Sequence, residues 1–480
     1  MKENLKKLAK YYKPYLGTFI LDMILAMMSA AVALVIPLVV RFITSKVAYM
    51  SANEALSRIM IIVGVLFVLV LIQWGCNYYI SNYGHVMGAK IEYDMRAEIF
   101  NHYQKLSYSF YDDQKVGQLL SRITSDLFDI TELLHHGPEN ITISLIKIIG
   151  ALCILSSIDL RLTIAAFVLI PFMLVFAYVL NKRMKRAFKR NRVRIGEINA
   201  QIEDNLSGIR VVKSFANEDI ECEKFKKGND LFLESKRDSY HYMGMYNAGL
   251  TAFTTMINVI VIAAGGIGIA KGWVNITDFV TFLLYINIFT EPVKVLIDFT
   301  EQFQNGYSGY ERFLEIISVE PEIADKPDAK ELTDVKGAIT FENVSFRYKD
   351  GVDEVLSGVN LSVRPGEYVA LAGPSGVGKT TLCSLIPRFY EITGGSIKID
   401  GTDIKDVALK SLRDHIGVVQ QDVYLFMGTI KENIRYGKPD ATDEEVIQAA
   451  KLANAHDFIM SFENGYDTDI GQRGVKLSGG

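Results

Sequence analysis

Long apolar stretches dominate the first 300 residues of the chain. Four stretches contain no Asp, Glu, Lys or Arg: 23–40, 59–89, 162–181 and 239–270. About 18 consecutive apolar residues suffice for a helix to cross the hydrocarbon core of a bilayer. Two further stretches have a similar length but carry charge, Lys147 in one and Glu291 and Lys294 in the other. The pattern predicts six transmembrane helices, with spans at 16–41, 59–83, 140–158, 160–181, 247–270 and 279–297.

The alternative for each stretch is a buried helix of a soluble protein, and it has most weight for the two charged stretches. A Lys at mid-bilayer costs about 2.5–3.5 kcal/mol, and less near the interface. We accept both spans because an even number returns the chain to its starting side. In the sixth span Asn287, Glu291 and Lys294 are candidates to face a substrate path. The alternative is a structural pair between Glu291 and Lys294.

Basic residues set the expected orientation. Residues 182–194 carry eight Lys or Arg and no acid, and five lysines lie within the first 13 residues. Such loops stay in the cytoplasm. The inner segments 84–137 and 182–245 then each exceed 50 residues, so the helices should continue far beyond the membrane. We expect residues 3–13 to form a short amphipathic helix on the inner leaflet, ended by Pro14.

The pattern changes after residue 317. Residues 318–337 are polar and contain two prolines, which predicts a linker between a membrane domain, 1–317, and a second domain, 338–480. Alternating apolar positions then predict strands, the third at Tyr368–Ala372. A fourth short strand is predicted at Ile416–Val419. Thr442 and Glu445 form the pattern of a capping box for a helix over about 443–462.

A phosphate-binding motif follows the third predicted strand. It has the pattern GxxxxGK[ST], with a helix expected after it. Its residues are Gly373, Pro374, Ser375, Gly376, Val377, Gly378, Lys379 and Thr380, and Thr381 comes next. The glycines let backbone N–H groups face phosphates, Lys379 reaches the β- and γ-phosphates, and the Thr380 hydroxyl binds Mg²⁺. The alternative, a chance Gly-rich turn, does not explain all four fixed positions.

Composition narrows the class of protein. Of 480 residues, 49% are apolar and 22% are charged, which excludes a disordered chain. The first 320 residues have a net charge of +3 and the remainder −7, so nucleic acid is not an expected partner. The four cysteines are far apart and form no CxxC pair, so neither a disulfide framework nor a zinc site is predicted from them.

With these motifs in place, the chain resembles a half-transporter of the ABC exporter family over essentially its whole length. The resemblance implies a membrane α-helical bundle of six transmembrane helices with long cytoplasmic extensions, joined to an α/β P-loop nucleotide-binding domain. It implies ATP and Mg²⁺ as cofactors, a second half-transporter as partner in a homo- or heterodimer, and a location in the cytoplasmic membrane. The implied activity is ATP hydrolysis coupled to export of a substrate that the sequence does not identify.

The resemblance also implies roles for individual residues. Tyr348 corresponds to the aromatic that stacks on adenine, the alternative being an aromatic packed in a core. Gln421 corresponds to the glutamine that meets Mg²⁺ and the attacking water, with Gln420 as the alternative. The signature residues Leu477, Ser478, Gly479 and Gly480 would contact ATP of the other subunit. Residues 109–114 and 215–218 resemble segments that couple the two domains, the alternative being ordinary polar helix ends.

Two departures from the family pattern matter. Gln472 stands where these exporters usually carry Glu. The sequence also stops within the signature, before the positions of the Walker B aspartate and the catalytic acid. We therefore expect a C-terminally truncated chain that has no ATP turnover as written. Two alternative functions remain at this point: an ATP-binding half that hydrolyses poorly beside an active partner, and an ATP-gated channel or regulator.

Overall fold

The computed structural model describes residues 7–349, 351, 353–420 and 423–471. The chain divides into two compact units, Met1–Glu322 and Ile323–Gly480.

The first unit consists of helices far longer than a membrane is thick. Six continuous helical stretches have 42 to 53 residues and the length and composition to cross a membrane. A helix of 52 residues is about 78 Å long, whereas the hydrocarbon core measures about 30 Å. The predicted bundle of six helices with long extensions is therefore confirmed. The six stretches are Lys7–Tyr49, Ala52–Tyr103, Val116–Ile158, Leu160–Ser207, Glu218–Ala270 and Ile276–Ile317.

Short irregularities divide these stretches into nine α-helices, and two short helices, α4 and α9, lie between stretches, which makes eleven among the described residues of this unit. One π-helical turn, Ile80–Gly84, joins α2 to α3, and a short turn separates α7 from α8. The helices are α1 Leu16–Ser45, α2 Ala52–Tyr79, α3 His85–Tyr103, α4 Tyr108–Asp112, α5 Val116–Ile123, α6 Ser125–Ile158, α7 Leu160–Phe167, α8 Ile170–Ser207, α9 Ile209–Ser214, α10 Glu218–Ala270 and α11 Ile276–Ile317.

The N-terminal segment differs from its prediction. Pro14 does not end a helix, because it lies in the 3₁₀ turn Lys10–Tyr15 that runs directly into α1. Proline is tolerated at the start of a helix, where its missing N–H would have no intrahelical partner. The segment also packs on protein: Leu8 is buried, and the Tyr15 hydroxyl donates to Asp94 Oδ2 on α3 at 2.8 Å.

The described helices of this unit pack around three apolar cores. One core joins α3, α6 and the C-terminal half of α11 and includes Met95 and Phe313. A second joins α6, α7, α10 and the N-terminal half of α11 and includes Phe282 and Phe289. A third joins α8, α10 and α11 and includes Tyr246.

In contrast, α2 exposes large apolar side chains over most of its predicted span, and only the face with Ile62, Leu66 and Leu69 is half-buried. An exposed apolar surface of that extent is suited to lipid rather than to water.

The second unit contains a four-stranded antiparallel sheet with the order β2-β1-β3-β4. β1 lies at the centre of the apolar core because it pairs with β2 on one side and with β3 on the other. The strands are β1 Ile339–Phe346, β2 Leu356–Val363, β3 Gly394–Ile399 and β4 Thr402–Asp403. The helices are α12 Lys379–Leu385, α13 Leu409–Asp414, α14 Ile430–Arg435, α15 Asp443–Leu452 and α16 His456–Met460.

Two predicted strands of this unit are wrong. Residues 368–372 and 416–419 form no strand, and Tyr368 and Val419 are almost fully exposed. A buried parallel strand depends on neighbours on both sides. The sheet formed by the described residues has no strand beside either segment.

The predicted helix over 443–462 is interrupted, although its start is confirmed. The Thr442 and Glu445 side chains both make the capping-box hydrogen bonds. Asn454 has a φ of +53°, which breaks the helix between α15 and α16. Such a left-handed residue is typical of a helix C-terminus, and Asn accepts it more readily than most residues.

Most of the segment predicted as linker is packed on the second unit. Ile323 is buried, and Lys330 forms a parallel bridge with Val407. Further along, the Asp400 carboxylate accepts hydrogen bonds from three consecutive backbone N–H groups, those of Lys336, Gly337 and Ala338. These contacts fix the entry of the chain into β1.

Candidate functional site: a phosphate loop and its surroundings

The phosphate loop has the backbone that its glycines predict. Gly376 and Gly378 adopt φ values of +85° and +92°, which side chains other than glycine rarely allow. A Cβ on Gly378 would also lie 2.9 Å from Leu356 Cδ2. α12 begins at the next residue, Lys379, as predicted. The loop therefore turns into a helix start, where backbone N–H groups suit an anion.

Lys379 folds back over this loop. Its Nζ donates to the carbonyl oxygens of Gly373 at 2.9 Å and Pro374 at 2.7 Å. The Thr380 side chain is exposed at the start of α12. The ammonium group thus lies across the loop, within reach of a phosphate that the loop would hold, and the Thr380 hydroxyl is accessible to a metal ion.

The structure brings Tyr348 to the same place. Its hydroxyl lies 3.0 Å from Thr381 Oγ1 on α12, directly after Thr380. The half-buried ring makes edge contacts with Phe346 and Tyr390, at centroid distances of 4.9 and 5.3 Å. The ring is therefore packed partly against the core and lies beside the phosphate loop, and its stacking on adenine stays a prediction.

Other predicted site residues lie outside the part of the chain that the structure describes. These residues are Gln421, Gln472, Leu477, Ser478, Gly479 and Gly480. Gln420, the alternative to Gln421, is exposed in a segment without regular structure. The described residues therefore contain the loop, Lys379, Thr380 and Tyr348.

In the membrane half, a polar face runs along α11. Asn287, Glu291 and Lys294 follow one another at helical spacing, and all three are exposed. The ion pair of Glu291 is with Lys147 on α6, with Nζ and Oε2 3.8 Å apart, rather than with Lys294. Two of the three charges in the third and sixth predicted spans, Lys147 and Glu291, thus pair with each other, which lowers the cost of placing them in a membrane.

The two segments compared with coupling regions both lie at the turns between long helices. Residues 109–114 include most of α4, and the Ser109 hydroxyl donates to Glu322. Residues 215–218 form the turn from α9 to α10, where Ala216 has a φ of +51°. The Lys213 ammonium beside Glu218, at 2.8 Å, lowers the pKa of that carboxyl. The coupling role of both segments stays a prediction.

Sequence reasoning missed one cluster. His85, His135 and His136 come together in the first unit, although 50 residues separate His85 from the His pair. The only sequence signal was the tandem His-His followed three residues later by Glu139.

Six membrane-length helices and a P-loop on one chain define a multi-pass membrane protein with a nucleotide-binding domain. Comparison with family models agrees with this class of protein and identifies the family. Residues 19–293 match the model of the ABC transporter transmembrane region, and residues 356–480 match the ABC transporter model. The chain belongs to the ABC transporter family, and it has the exporter-type half-transporter arrangement of a membrane domain followed by an ATP-binding domain.

Relatives share this arrangement over almost all of the chain. The Uncharacterized ABC transporter ATP-binding protein YwjA of Bacillus subtilis is 39% identical over 476 residues, covering 99% of this chain and 82% of the relative. The Putative multidrug export ATP-binding/permease protein YgaD, also of B. subtilis, is 35% identical and is covered to 83%. A solved bacterial Atm1-family ABC exporter with ATP bound is 26% identical, with a TM-score of 0.77 over 96% of this chain and 82% of that one.

Proposed function

We propose that this protein exports a substrate across the cytoplasmic membrane, driven by ATP, as one half of a dimer that works by alternating access. The observation that carries the proposal is the presence, on one chain, of a formed phosphate loop and six helices that extend far beyond a bilayer. Relatives named for multidrug export and a solved ABC exporter support the direction of transport.

In this proposal the phosphate loop holds ATP, and Mg²⁺ neutralises its phosphate charge. Lys379 leaves its two carbonyl partners to bind the β- and γ-phosphates, and the Thr380 hydroxyl is a metal ligand. Tyr348 stacks on the adenine. Gln421 meets the metal and the attacking water, and residues 477–480 contact ATP held by the second half. The left-handed glycines and the accessible Thr380 of the structure fit this ligand.

The substrate path lies along the polar face of α11. Asn287, Glu291 and Lys294 are uncovered by their own half, although the rest of α11 near them is well buried. Ionisable residues in a membrane rarely face lipid. A second bundle facing this surface would enclose a polar path between the two halves.

Transport by the full-length protein in inverted membrane vesicles tests the proposal. With a lipophilic cationic dye as probe, we expect ATP-dependent accumulation that Lys379→Ala abolishes and that a non-hydrolysable ATP analogue does not support. The Lys410→Ala variant, an exposed lysine paired with Asp414, should transport normally. Dye flux in either direction driven by the analogue alone would overturn the exporter proposal in favour of a gated channel.

The full-length protein could bind ATP and yet accumulate none of a panel of cationic, neutral and anionic probes in the vesicles. This result would contradict export and favour a half that serves an active partner.

A further inference from the structure

Three histidine rings meet where three helices of the membrane domain pack together. His85 opens α3 immediately after the π-helical turn, and His135 and His136 lie within α6. One ring nitrogen from each histidine lies within 4.8 Å of those of the other two. His85 Nδ1 and His135 Nε2 form a hydrogen bond of 3.2 Å. His135 is buried and His136 is partly buried, whereas His85 is exposed, so the cluster can be reached from the surface of the helix bundle.

Carboxylates surround the three rings. His136 Nδ1 lies 3.5 Å from Glu139 Oε2, and its Nε2 lies 3.6 Å from Glu132 Oε2. From α1, Asp22 reaches the same point. An ideal Cβ on Gly84 would lie 3.0 Å from Asp22 Oδ1 and 3.1 Å from His135 Nδ1. The absence of a side chain at Gly84 is therefore what lets the Asp22 carboxylate approach the His135 ring.

Several of these polar atoms are buried without a hydrogen bond. Within the described part of the chain, neither carboxylate oxygen of Asp22 has a hydrogen-bond partner, and Asp22 is completely buried. The same holds for His135 Nδ1 and Glu139 Oε2. An unpaired buried charge is strongly unfavourable, so such groups are normally paired or bind a metal. Glu139 Oε2 faces the ring of His136 at 3.5 Å, whereas the Asp22 carboxylate has no such partner. A buried carboxylate without a partner beside three imidazole rings indicates that a cation belongs there.

The chemistry of the donors selects the kind of cation. Imidazole suits zinc, copper, nickel and iron, whereas magnesium and calcium prefer oxygen ligands alone. Two nitrogens bound to one tetrahedral zinc ion at about 2.05 Å are about 3.3 Å apart. The hydrogen-bonded separation of 3.2 Å between His85 Nδ1 and His135 Nε2 is close to this value, so one ion can take the place of the proton that the two rings share. A glutamate lies beside each ring nitrogen of His136. The glutamate at the nitrogen that does not bind the ion would orient the ring, as outer-shell carboxylates do for metal-binding histidines.

We propose that His85, His135 and His136, with the buried Asp22 carboxylate beside them, bind one divalent first-row transition-metal ion, with Zn²⁺ the best match. Two carboxylates, Asp22 and Glu139, balance its charge. The ion joins α1, α3 and α6 near the ends of their membrane spans, on the side that carries the basic loops. The site is separate from the phosphate loop, and the proposal does not depend on the proposed transport function.

Metal binding by the full-length protein, purified without a polyhistidine tag and treated with chelator, tests the site. Titration with Zn²⁺ against a chromophoric chelator should show one tight site per chain, and Co²⁺ should give the visible absorption of a tetrahedral complex. The variant His85→Gln changes an exposed residue and should fold. We expect it to bind Zn²⁺ at least 100-fold more weakly and to lose the Co²⁺ absorption.

Controls separate this site from adventitious binding. His241→Gln removes another exposed histidine, on α10, and should leave Zn²⁺ affinity unchanged. Asp22→Asn keeps the shape of the side chain and should weaken binding at least tenfold. Zn²⁺ should raise the thermal unfolding midpoint of the unmodified protein but not that of His85→Gln. Equal affinity in the unmodified protein and His85→Gln, or no tight site in the unmodified protein, would overturn the proposal.

Discussion

At the scale of single residues, Lys379 is the most direct test of the nucleotide site. Its ammonium lies on two carbonyl oxygens of the phosphate loop, so its removal leaves the loop backbone in place. A charge-assisted hydrogen bond contributes about 1.5–3 kcal/mol. Lys379→Ala should therefore weaken ATP binding by about tenfold or more in equilibrium titrations of the full-length protein. Unchanged ATP affinity would contradict the assignment of the loop.

Tyr348 allows the ring and the hydroxyl to be tested separately. Tyr348→Ala should weaken ATP binding by about 1 kcal/mol, or about fivefold, because it removes the stacking surface. Tyr348→Phe keeps the ring and loses only the contact with Thr381 Oγ1, so it should bind ATP almost normally. Tyr348→Ala should weaken the binding of ATP and of GTP to the same extent, since each purine has a π-face. A loss confined to one base would instead indicate hydrogen-bond recognition.

The contacts of Asp400 at the entry to β1 should depend on pH. The N–H groups of Ala338, Gly337 and Lys336 hold the pKa of its carboxyl below the usual range. A carboxyl whose pKa is lower in the folded state stabilises it above the ordinary pKa of about 3.9, and this stability disappears as pH falls through the folded value. Hydrogen exchange of these three amides should therefore speed up, relative to intrinsic exchange, only in acid below about pH 4.

At neutral pH, Asp400→Asn should accelerate hydrogen exchange of the same amides about fivefold. This factor corresponds to the loss of about 1 kcal/mol, the net contribution of a typical hydrogen bond. Asp414→Asn removes an exposed carboxylate that pairs with Lys410 and serves as the control. An Asp400→Asn variant with exchange rates equal to those of the control would show that the carboxylate does not hold the entry to β1.

At the scale of helices, close packing of α6 against α11 depends on Gly306. A Cβ there would lie 2.6 Å from the Asp129 carbonyl oxygen and 2.6 Å from Leu133 Cβ, so the helices would have to separate. Overpacking of this kind costs about 1–3 kcal/mol. Gly306→Ala should lower the midpoint of thermal unfolding by a few degrees.

Gly196 on α8 provides the matched control, since a Cβ there would meet nothing within 4 Å. Gly196→Ala should leave the unfolding midpoint unchanged or raise it, because Ala is the better helix former by about 1 kcal/mol. If both variants unfolded at the same temperature, the α6–α11 contact would not be as tight as the structure indicates.

The elements that the sequence predicted well are those whose signal is local. Apolar runs and basic flanks gave the six long helices, and the motif from Gly373 to Thr380 gave the turn into α12. Segments 368–372 and 416–419 failed because a strand is completed by its neighbours, which no local pattern contains. The contact of Glu291 with Lys147 and the histidine cluster join residues far apart in sequence, so only the packing of helices reveals them.

At the scale of the whole molecule, orientation in the membrane remains a prediction that one experiment can decide. The eight basic residues of 182–194 lie on α8, directly beyond the predicted fourth span. Translocation of a segment with so many basic residues across a bilayer is strongly disfavoured, so this half of α8 should lie in the cytoplasm. Lys271, at the turn between α10 and α11, should then face the outside.

Single cysteines introduced into a cysteine-free background report the two sides. Lys189→Cys and Lys271→Cys both replace exposed lysines. In intact cells a membrane-impermeant maleimide should label Lys271→Cys and not Lys189→Cys, and in inverted vesicles the reactivity should reverse. Because an even number of spans returns the chain to its starting side, cytoplasmic labelling of position 189 also places the ATP-binding domain where ATP is available. Labelling of Lys189→Cys from outside intact cells would invert the whole topology, and with it the proposed direction of transport.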